Sequence, residues 1–157
     1  KYSWVDIGSS YLMNDVSAAY LWGNLEKSDE INKYRTKIWN QYYSALEDLV
    51  SQDLITLPTI PKDCIHNSHI FYLKVKDLQS RTNLLEFLKS NNIFSVFHYI
   101  PLHSSKAGKK FGEFNGKDQY TTTESERLIR LPIYYGLKDQ EVCYIINTIK
   151  RSYTKTK

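Results

Sequence analysis

The sequence predicts an α+β fold in which a long helix precedes a short, mostly antiparallel sheet covered by helices. From Ile31 to Leu49, apolar residues recur every three or four positions, which is the spacing of a helix with one apolar face. The run from Ile70 to Val75 has the length and the composition of a β-strand. Helices at the start of the chain, followed by short strands that alternate with helices, are typical of one α+β layer.

The first half of the chain is predicted to be mainly helical. A first helix is expected from about Asn14, whose side chain can cap it. The long helix should cover about 28–50, and its acidic first turn, Asp29 and Glu30, suits the positive end of the helix dipole. A connector at 57–61, which contains two prolines, separates this helix from the first strand.

The second half is predicted to alternate between strands and helices. A helix at 80–90, a second strand at 93–99 and a polar loop at 104–119 follow the first strand. Thr121 and Glu124 have capping-box spacing, which predicts a short helix that ends near Arg130 and an extended piece at 131–134. The last helix should bury one helical stripe, formed by Val142, Ile145, Ile146 and Ile149.

Composition excludes several classes of protein. The 157 residues suffice for one domain, and the net charge of +4 is modest and lies largely in the tail after residue 149. This distribution gives no reason to expect a nucleic-acid partner. No apolar run approaches the length of about 20 residues that a membrane span needs, and no signal peptide opens the chain. We therefore expect a soluble, cytoplasmic protein.

Cysteine, tyrosine and the first residue add three expectations. Two cysteines cannot make a metal cage or a disulfide framework, and Cys143 is expected in the core. The 13 tyrosines suit either a polar ligand cleft or simply a Tyr-rich core and surface. A chain that begins with Lys1 instead of methionine suggests a fragment.

The residues alone offer three candidate sites. His98, Tyr99 and His103 lie where a strand ends at a proline, a favoured position for binding groups. Equally, Tyr99 could pack in the core while a backbone carbonyl satisfies His98. Ser10, in Gly8-Ser9-Ser10, could help bind an anion or belong to an ordinary turn. His66 and His69 lack a third ligand nearby, so we expect no metal site. No complete catalytic set emerges.

Five segments, read in order, carry a resemblance. Together they resemble the C-terminal portion of the DegT/DnrJ/EryC1/StrS-type sugar aminotransferases, which modify nucleotide-linked keto sugars. The resemblance runs nearly the whole length of the chain, and the order and spacing of the segments make it specific. The segments are Asp6-Ile7-Gly8-Ser9-Ser10-Tyr11-Leu12, Ser17-Ala18-Ala19-Tyr20-Leu21-Trp22, Asn67-Ser68-His69-Ile70-Phe71-Tyr72, Val96-Phe97-His98-Tyr99-Ile100-Pro101-Leu102-His103, and Thr122-Thr123-Glu124-Ser125-Glu126-Arg127-Leu128 with Leu131-Pro132.

The resemblance implies a fold-type I transferase that uses pyridoxal 5′-phosphate (PLP) and acts as a homodimer. Glutamate would donate the amino group, and C4 of a dTDP-4-keto-6-deoxyhexose would receive it, in the synthesis of a cell-surface polysaccharide resembling enterobacterial common antigen. The family's cofactor-holding lysine lies upstream of the matching region, so the resemblance assigns no catalytic residue to this chain. The chain by itself is expected to be inactive and not to hold the cofactor.

The resemblance also implies roles for individual residues. Ser10 stands where the family pattern Gly-x-Asn-x-Arg has the Asn that reaches the cofactor phosphate of the partner subunit, and Leu12 departs from the Arg. His98, Tyr99 and His103 match the stretch near the sugar-nucleotide cleft and are expected to contact the substrate. Glu124 and Arg127 are expected to fix their helix to its neighbours.

Two domains and two alternatives complete the prediction. Residues 1–26 should pack on a large domain, and residues 27–157 should form the small C-terminal domain. One alternative is a free-standing small α+β binding or interaction domain without catalysis. The other is the same family acting on a UDP- or GDP-linked keto sugar.

Overall fold

The computed structural model describes residues 11–154. Helices lie at both ends of this range, and the two short strands lie between them. The helices are α1 (Asp15–Leu25), α2 (Ser28–Ser51), α3 (Leu78–Ser90), α4 (Lys106–Phe111), α5 (Thr121–Arg127) and α6 (Asp139–Thr154); the strands are β1 (Phe71–Lys74) and β2 (Leu128–Leu131).

Helix α1 begins where the sequence predicts. Asn14 caps it, since its Oδ1 accepts a hydrogen bond from the backbone N–H of Ser17 at 2.9 Å. The helix buries none of its residues against the rest of the described chain. Among its side chains, Val16, Tyr20 and Trp22 are exposed by 81, 78 and 68%. An apolar surface of this kind is typical of an interface.

The core lies between α2, α6 and one face of the sheet. Helix α2 buries Ile38, Tyr42, Leu46 and Leu49 of the predicted stripe, together with Trp39. The predicted α6 stripe is confirmed in full. Because that stripe occupies one face of α6, position 143 lies on another face, and the expectation of a core Cys143 is wrong: both cysteines are exposed and free.

The sheet is antiparallel. Strand β1 pairs with β2 in the register Phe71 to Leu131 and Lys74 to Leu128. One face of the sheet is buried in the core, and the other face carries Tyr72 and Arg130, because side chains alternate along a strand. Isolated bridges extend the sheet on both sides, from Thr56 to Lys74 and from Val96 to Arg130. The predicted fold class is confirmed.

Three local predictions need correction. The strand expected at 93–99 is reduced to the single bridge at Val96. The helix that begins at Thr121 ends at Arg127 instead of near Arg130, because residues 128–131 pair with β1 as β2. The polar loop at 104–119 contains helix α4, whose apolar residues are too few to give a helical pattern.

The capping box at Thr121 is also wrong. Asp118 takes the capping role, because its Oδ1 accepts a hydrogen bond from the backbone N–H of Thr122 at 3.3 Å. Glu124 forms an ion pair with Lys74 at 2.7 Å instead of reaching back to the start of the helix. Within residues 11–154, no helix is long and apolar enough to cross a membrane.

Candidate functional site

The segment 98–105 leaves the sheet just after the Val96 bridge. It continues through a 3₁₀ turn at Leu102–Ser104 into α4, which Ser105 caps by accepting a hydrogen bond from the backbone N–H of Gly108 at 2.9 Å. Gly108 packs directly against this turn. A Cβ atom on Gly108 would lie 1.7 Å from the carbonyl oxygen of Leu102. The absence of a side chain at position 108 therefore lets α4 and the turn come together.

His98 and Tyr99 line a first cleft of about 600 Å³. Arg130 donates a hydrogen bond from its guanidinium to Nδ1 of His98 at 2.8 Å. The rings of His98 and Tyr99 lie 3.7 Å apart between centroids, and the peptide bond between the two residues is cis. Tyr99 is 63% exposed, and its carbonyl oxygen accepts a hydrogen bond from the hydroxyl of Ser125.

The electrostatics of this first cleft favour a neutral His98. Partial burial, and next the positive charge of Arg130, hold the pKa of His98 below its ordinary value of 6.5. The partner of His98 is a guanidinium instead of a backbone carbonyl, and Tyr99 packs on the ring of His98 while it lines the open cleft.

His103 lines a second cleft, of about 560 Å³. Its Nε2 lies 3.0 Å from Oδ2 of Asp118, and the two side chains are 21 and 22% exposed. The hydroxyl of Thr122 donates to the same carboxylate, and this bond is the main cause of the lowered pKa of Asp118. The ring of Phe114 packs 4.4 Å from that of His103.

The two clefts adjoin each other. Leu102 and Thr121 line both of them. His98 and Tyr99 therefore share one cleft, whereas His103 lies in the neighbouring one. The arrangement offers two adjoining clefts, each with a histidine whose ring contacts a charged neighbour.

The sequence did not predict four neighbours of these histidines, which are Arg130, Asp118, Ser125 and Gly108. The sequence predicts a helix up to about Arg130, so it does not indicate this contact. In the structure Arg130 belongs to β2, where it alternates with the buried Ile129 and Leu131, and its side chain therefore lies on the opposite face of the sheet. Asp118 precedes Thr122 by four residues in a polar loop, and the spacing of the pair carries no signal of its own. Gly108 is detectable only from the close approach of Leu102.

The other predicted residues have structural contacts or lie outside the described range. The guanidinium of Arg127 donates to the Val75 carbonyl at 2.8 Å, as expected for a residue that fixes its helix. His66 packs on Trp39, and His69 lies 3.0 Å from a guanidinium nitrogen of Arg35. Within residues 11–154, no three metal-ligating side chains cluster. Ser10 lies outside the described residues.

The sequence also matches a known family. Residues 1–150 match the sequence pattern of the DegT/DnrJ/EryC1/StrS aminotransferase family. The chain belongs to this family.

Relatives of this DegT/DnrJ/EryC1/StrS chain are considerably longer than it is. The uncharacterized protein MJ1066 of Methanocaldococcus jannaschii is 32% identical over 96% of the chain, which spans 39% of MJ1066. DesV of S. venezuelae, solved in complex with a ketimine intermediate, is similar with a TM-score of 0.84 and 24% identity over 97% of this chain and 40% of DesV. This likeness confirms the predicted α+β fold, which matches part of this longer aminotransferase structure.

A third relative bears on the cofactor. Spr1654 of Streptococcus pneumoniae, a candidate sugar aminotransferase, has been solved in a PLP form, and it matches with a TM-score of 0.74 and 25% identity over 91% of this chain and 36% of its own. Its pyridoxamine phosphate (PMP) form matches equally well. Spr1654 therefore binds both forms of the cofactor.

The lysines of the described residues bear on whether they could hold PLP. Such a site needs an amine that can reach the cofactor aldehyde. Among residues 11–154, every lysine is exposed except Lys74 and Lys150. These two form ion pairs with Glu124 and Asp48, at 2.7 and 2.8 Å. Among the described residues, Lys109 lines the second cleft, and no lysine lines the first.

Proposed function

We propose that this chain is the C-terminal part of a PLP-dependent aminotransferase that acts on a nucleotide-linked keto sugar. The observation that carries the proposal is the pair of adjoining clefts around His98, Tyr99 and His103 in a chain of this family. The proposed reaction is that of dTDP-4-amino-4,6-dideoxygalactose transaminase: glutamate supplies the amino group, and C4 of a dTDP-4-keto-6-deoxyhexose receives it. The reaction would serve synthesis of a lipopolysaccharide or of enterobacterial common antigen in the cytoplasm.

The chemistry of the first cleft suits a deoxy sugar. Tyr99 offers a hydroxyl and His98 a ring N–H, and both can bond to sugar oxygens. Ile100, Leu102 and Leu128 supply apolar wall, against which the methyl group of a 6-deoxyhexose can pack. A fully hydroxylated sugar would leave this wall facing a polar group, at a cost in free energy.

The second cleft suits the nucleotide half of the same substrate. Phe111 and Phe114 contribute aromatic rings, which can stack on a base, and Lys109 contributes a positive charge for the diphosphate. His103 adds a further hydrogen-bonding group. We propose that one ligand of nucleotide-sugar length occupies both clefts, which lie side by side and share Leu102 and Thr121.

The cofactor and the catalytic lysine are proposed to come from the remainder of a longer protein. This chain spans 39% of MJ1066, which leaves room for a large domain. When bound, PLP would act as the electron sink of the transamination. Residues 1–26 would pack on the large domain, consistent with the exposed apolar side chains of α1. Ser10 would contact the cofactor phosphate of the partner subunit in a homodimer.

Amino transfer by a protein of the relatives' length that contains this chain tests the proposal. The protein would be incubated with PLP, glutamate and, in parallel, dTDP-, UDP- and GDP-linked 4-keto-6-deoxyhexoses. We expect transfer to the dTDP sugar at the highest kcat/KM. A preference for the UDP or GDP sugar would overturn the nucleotide assignment while supporting the family. Absence of transfer to every sugar would favour a binding domain without catalysis.

The 157-residue chain provides a second test. After incubation with PLP, treatment with borohydride and dialysis, it should retain no stoichiometric cofactor. Exposed lysines react weakly and non-specifically, so denatured chain serves as the control. Stoichiometric labelling of one lysine in the folded chain alone would contradict the proposal that the cofactor-holding lysine lies elsewhere.

A further inference from the structure

We infer that Arg130 and Asp118 are positioning residues that fix the protons of the two cleft histidines. Arg130 holds His98 as a neutral imidazole with its proton on Nε2. Asp118 holds His103 with a proton on Nε2, which leaves Nδ1 to face the ligand. The ligand that the two histidines bind rests on the proposed function, whereas the placement of their protons does not.

The arrangement at His98 follows from the chemistry of its partner. A guanidinium has only donors and keeps its charge at every physiological pH. Its nitrogen lies 2.8 Å from Nδ1 of His98, so Nδ1 must accept the bond and cannot carry a proton. The single proton of the neutral ring therefore stays on Nε2. A second proton on Nδ1 would break the bond and place two cations side by side.

At His103 the roles are reversed, because the ring donates the hydrogen bond and its partner accepts it. An ionised carboxylate has only acceptors, and the lowered pKa of Asp118 keeps it ionised. Its Oδ2 lies 3.0 Å from Nε2 of His103, so Nε2 must carry a proton. Among the described residues, Nδ1 of His103 has no hydrogen-bond partner. It can gain a proton without disturbing Asp118, whereas His98 cannot gain one without losing Arg130.

The surrounding charges agree with this assignment. The charged group that lines the cleft of His98 is Glu124, which forms an ion pair with Lys74 at 2.7 Å. In the cleft of His103, Lys109 and Glu113 contribute one charge of each sign. Within the described part of the chain, the direct contacts at Nδ1 of His98 and at Nε2 of His103 therefore determine which ring nitrogens carry protons.

The two histidines would therefore offer different hydrogen-bonding groups to the substrate. His98 offers a permanent N–H donor, which suits a keto or hydroxyl oxygen acting as an acceptor on the sugar. His103 offers Nδ1 as an acceptor when the ring is neutral, and as a cationic donor to an anion when the ring is protonated. Arg130 and Asp118 would thus determine which histidine nitrogens donate hydrogen bonds to the substrate and which accept them, without contacting the substrate themselves.

Histidine side-chain ¹⁵N spectra of the chain test this inference without any ligand. Of the four histidines, the two of interest are assigned with His98→Gln and His103→Gln. In the spectra, the neutral form of each ring should be almost entirely the Nε2–H tautomer. On acidification His98 should stay neutral below its ordinary pKa of 6.5, because partial burial disfavours the charged ring and protonation costs the Arg130 contact.

Two variants should affect one histidine each. Arg130→Met should mix the tautomers of His98 and shift its titration midpoint upward while leaving His103 unchanged; Arg130→Lys retains the charge and controls for loss of folding. Asp118→Asn should mix the tautomers of His103 and leave His98 unchanged, since an amide can donate as well as accept.

Three results would overturn the inference, two of which concern single rings. One is a wild-type His98 that carries its proton on Nδ1, and the other is a His103 that keeps its tautomer in Asp118→Asn. Equal disturbance of both rings by both variants would likewise overturn it, because this result indicates general loosening. The spectra need no substrate, so failure of the proposed reaction would leave their outcome untouched.

Discussion

Gly108 supports both clefts, and replacing it with alanine should disrupt them. The new Cβ would lie 1.7 Å from the carbonyl oxygen and 2.7 Å from the carbonyl carbon of Leu102. Both atoms belong to the backbone, so no side-chain rotation can relieve the overlap. Restoring an ordinary contact distance requires α4 and the Leu102 turn to separate by about 1.5 Å or more. His103, the residue after Leu102, should move with the turn.

The expected change in stability combines two opposing effects. Overpacking of this kind costs about 1–3 kcal/mol, and alanine gains up to about 1 kcal/mol over glycine inside a helix. We expect a net loss of about 1–2 kcal/mol in the free energy of unfolding. With an m-value of about 2 kcal/mol/M, typical of small proteins in urea, the midpoint should fall by about 0.5–1 M.

Urea unfolding followed by circular dichroism measures this loss, and Gly23→Ala is the matched control. Position 23 lies within α1, and a Cβ there would meet nothing within 4 Å. This control should leave the unfolding midpoint unchanged or raise it. A Gly108→Ala chain with an unchanged midpoint and an unchanged His103 ring spectrum would refute the argument, because it would mean that α4 does not need the close approach to Leu102.

Three further predictions concern the core and the pH dependence. Tyr42→Phe removes the hydroxyl that donates to the Pro132 carbonyl at 2.9 Å, and urea unfolding should show a loss of about 1–2 kcal/mol. Leu46→Ala, at a fully buried position, should cost about 2–5 kcal/mol in the same assay. Lys74 holds the pKa of Glu124 below its ordinary 4.5, so the stabilisation by this pair persists above pH 4.5 and disappears as the pH falls through the folded pKa. Glu124→Gln should flatten that part of the stability–pH curve.

The regular parts of the fold could be predicted because local pattern and tertiary environment agree there. The α6 stripe is wholly buried, and the α2 stripe is buried at Ile38, Tyr42, Leu46 and Leu49. Strand β2 could not be placed from its own residues. Leu128-Ile129-Arg130-Leu131 continues a helical pattern, and only pairing with β1 makes it a strand. Tertiary hydrogen bonding overrides local preference at such a position.

The candidate site was predicted through its histidines and Tyr99, and its supporting residues were missed. A strand end followed by proline marks a binding loop on general grounds. The partners of the loop come from distant positions: Arg130 lies 32 residues beyond His98, and Asp118 lies 15 beyond His103 in a stretch without a regular pattern. Contacts of this kind depend on how the chain folds back and leave no periodic signal in the sequence.

The central claim is that this chain supplies the sugar-nucleotide side of an aminotransferase site. The most direct measurement separates the two half-reactions in a protein of the relatives' length that contains the chain. Cofactor absorbance reports the conversion from the PLP form to the PMP form by glutamate, and the return to the PLP form by the dTDP-linked keto sugar. In Tyr99→Phe and His98→Gln, the return step should slow at least tenfold, about 1.4 kcal/mol, while the glutamate step stays at the wild-type rate. Equal slowing of both steps, or no effect on either, would contradict the account.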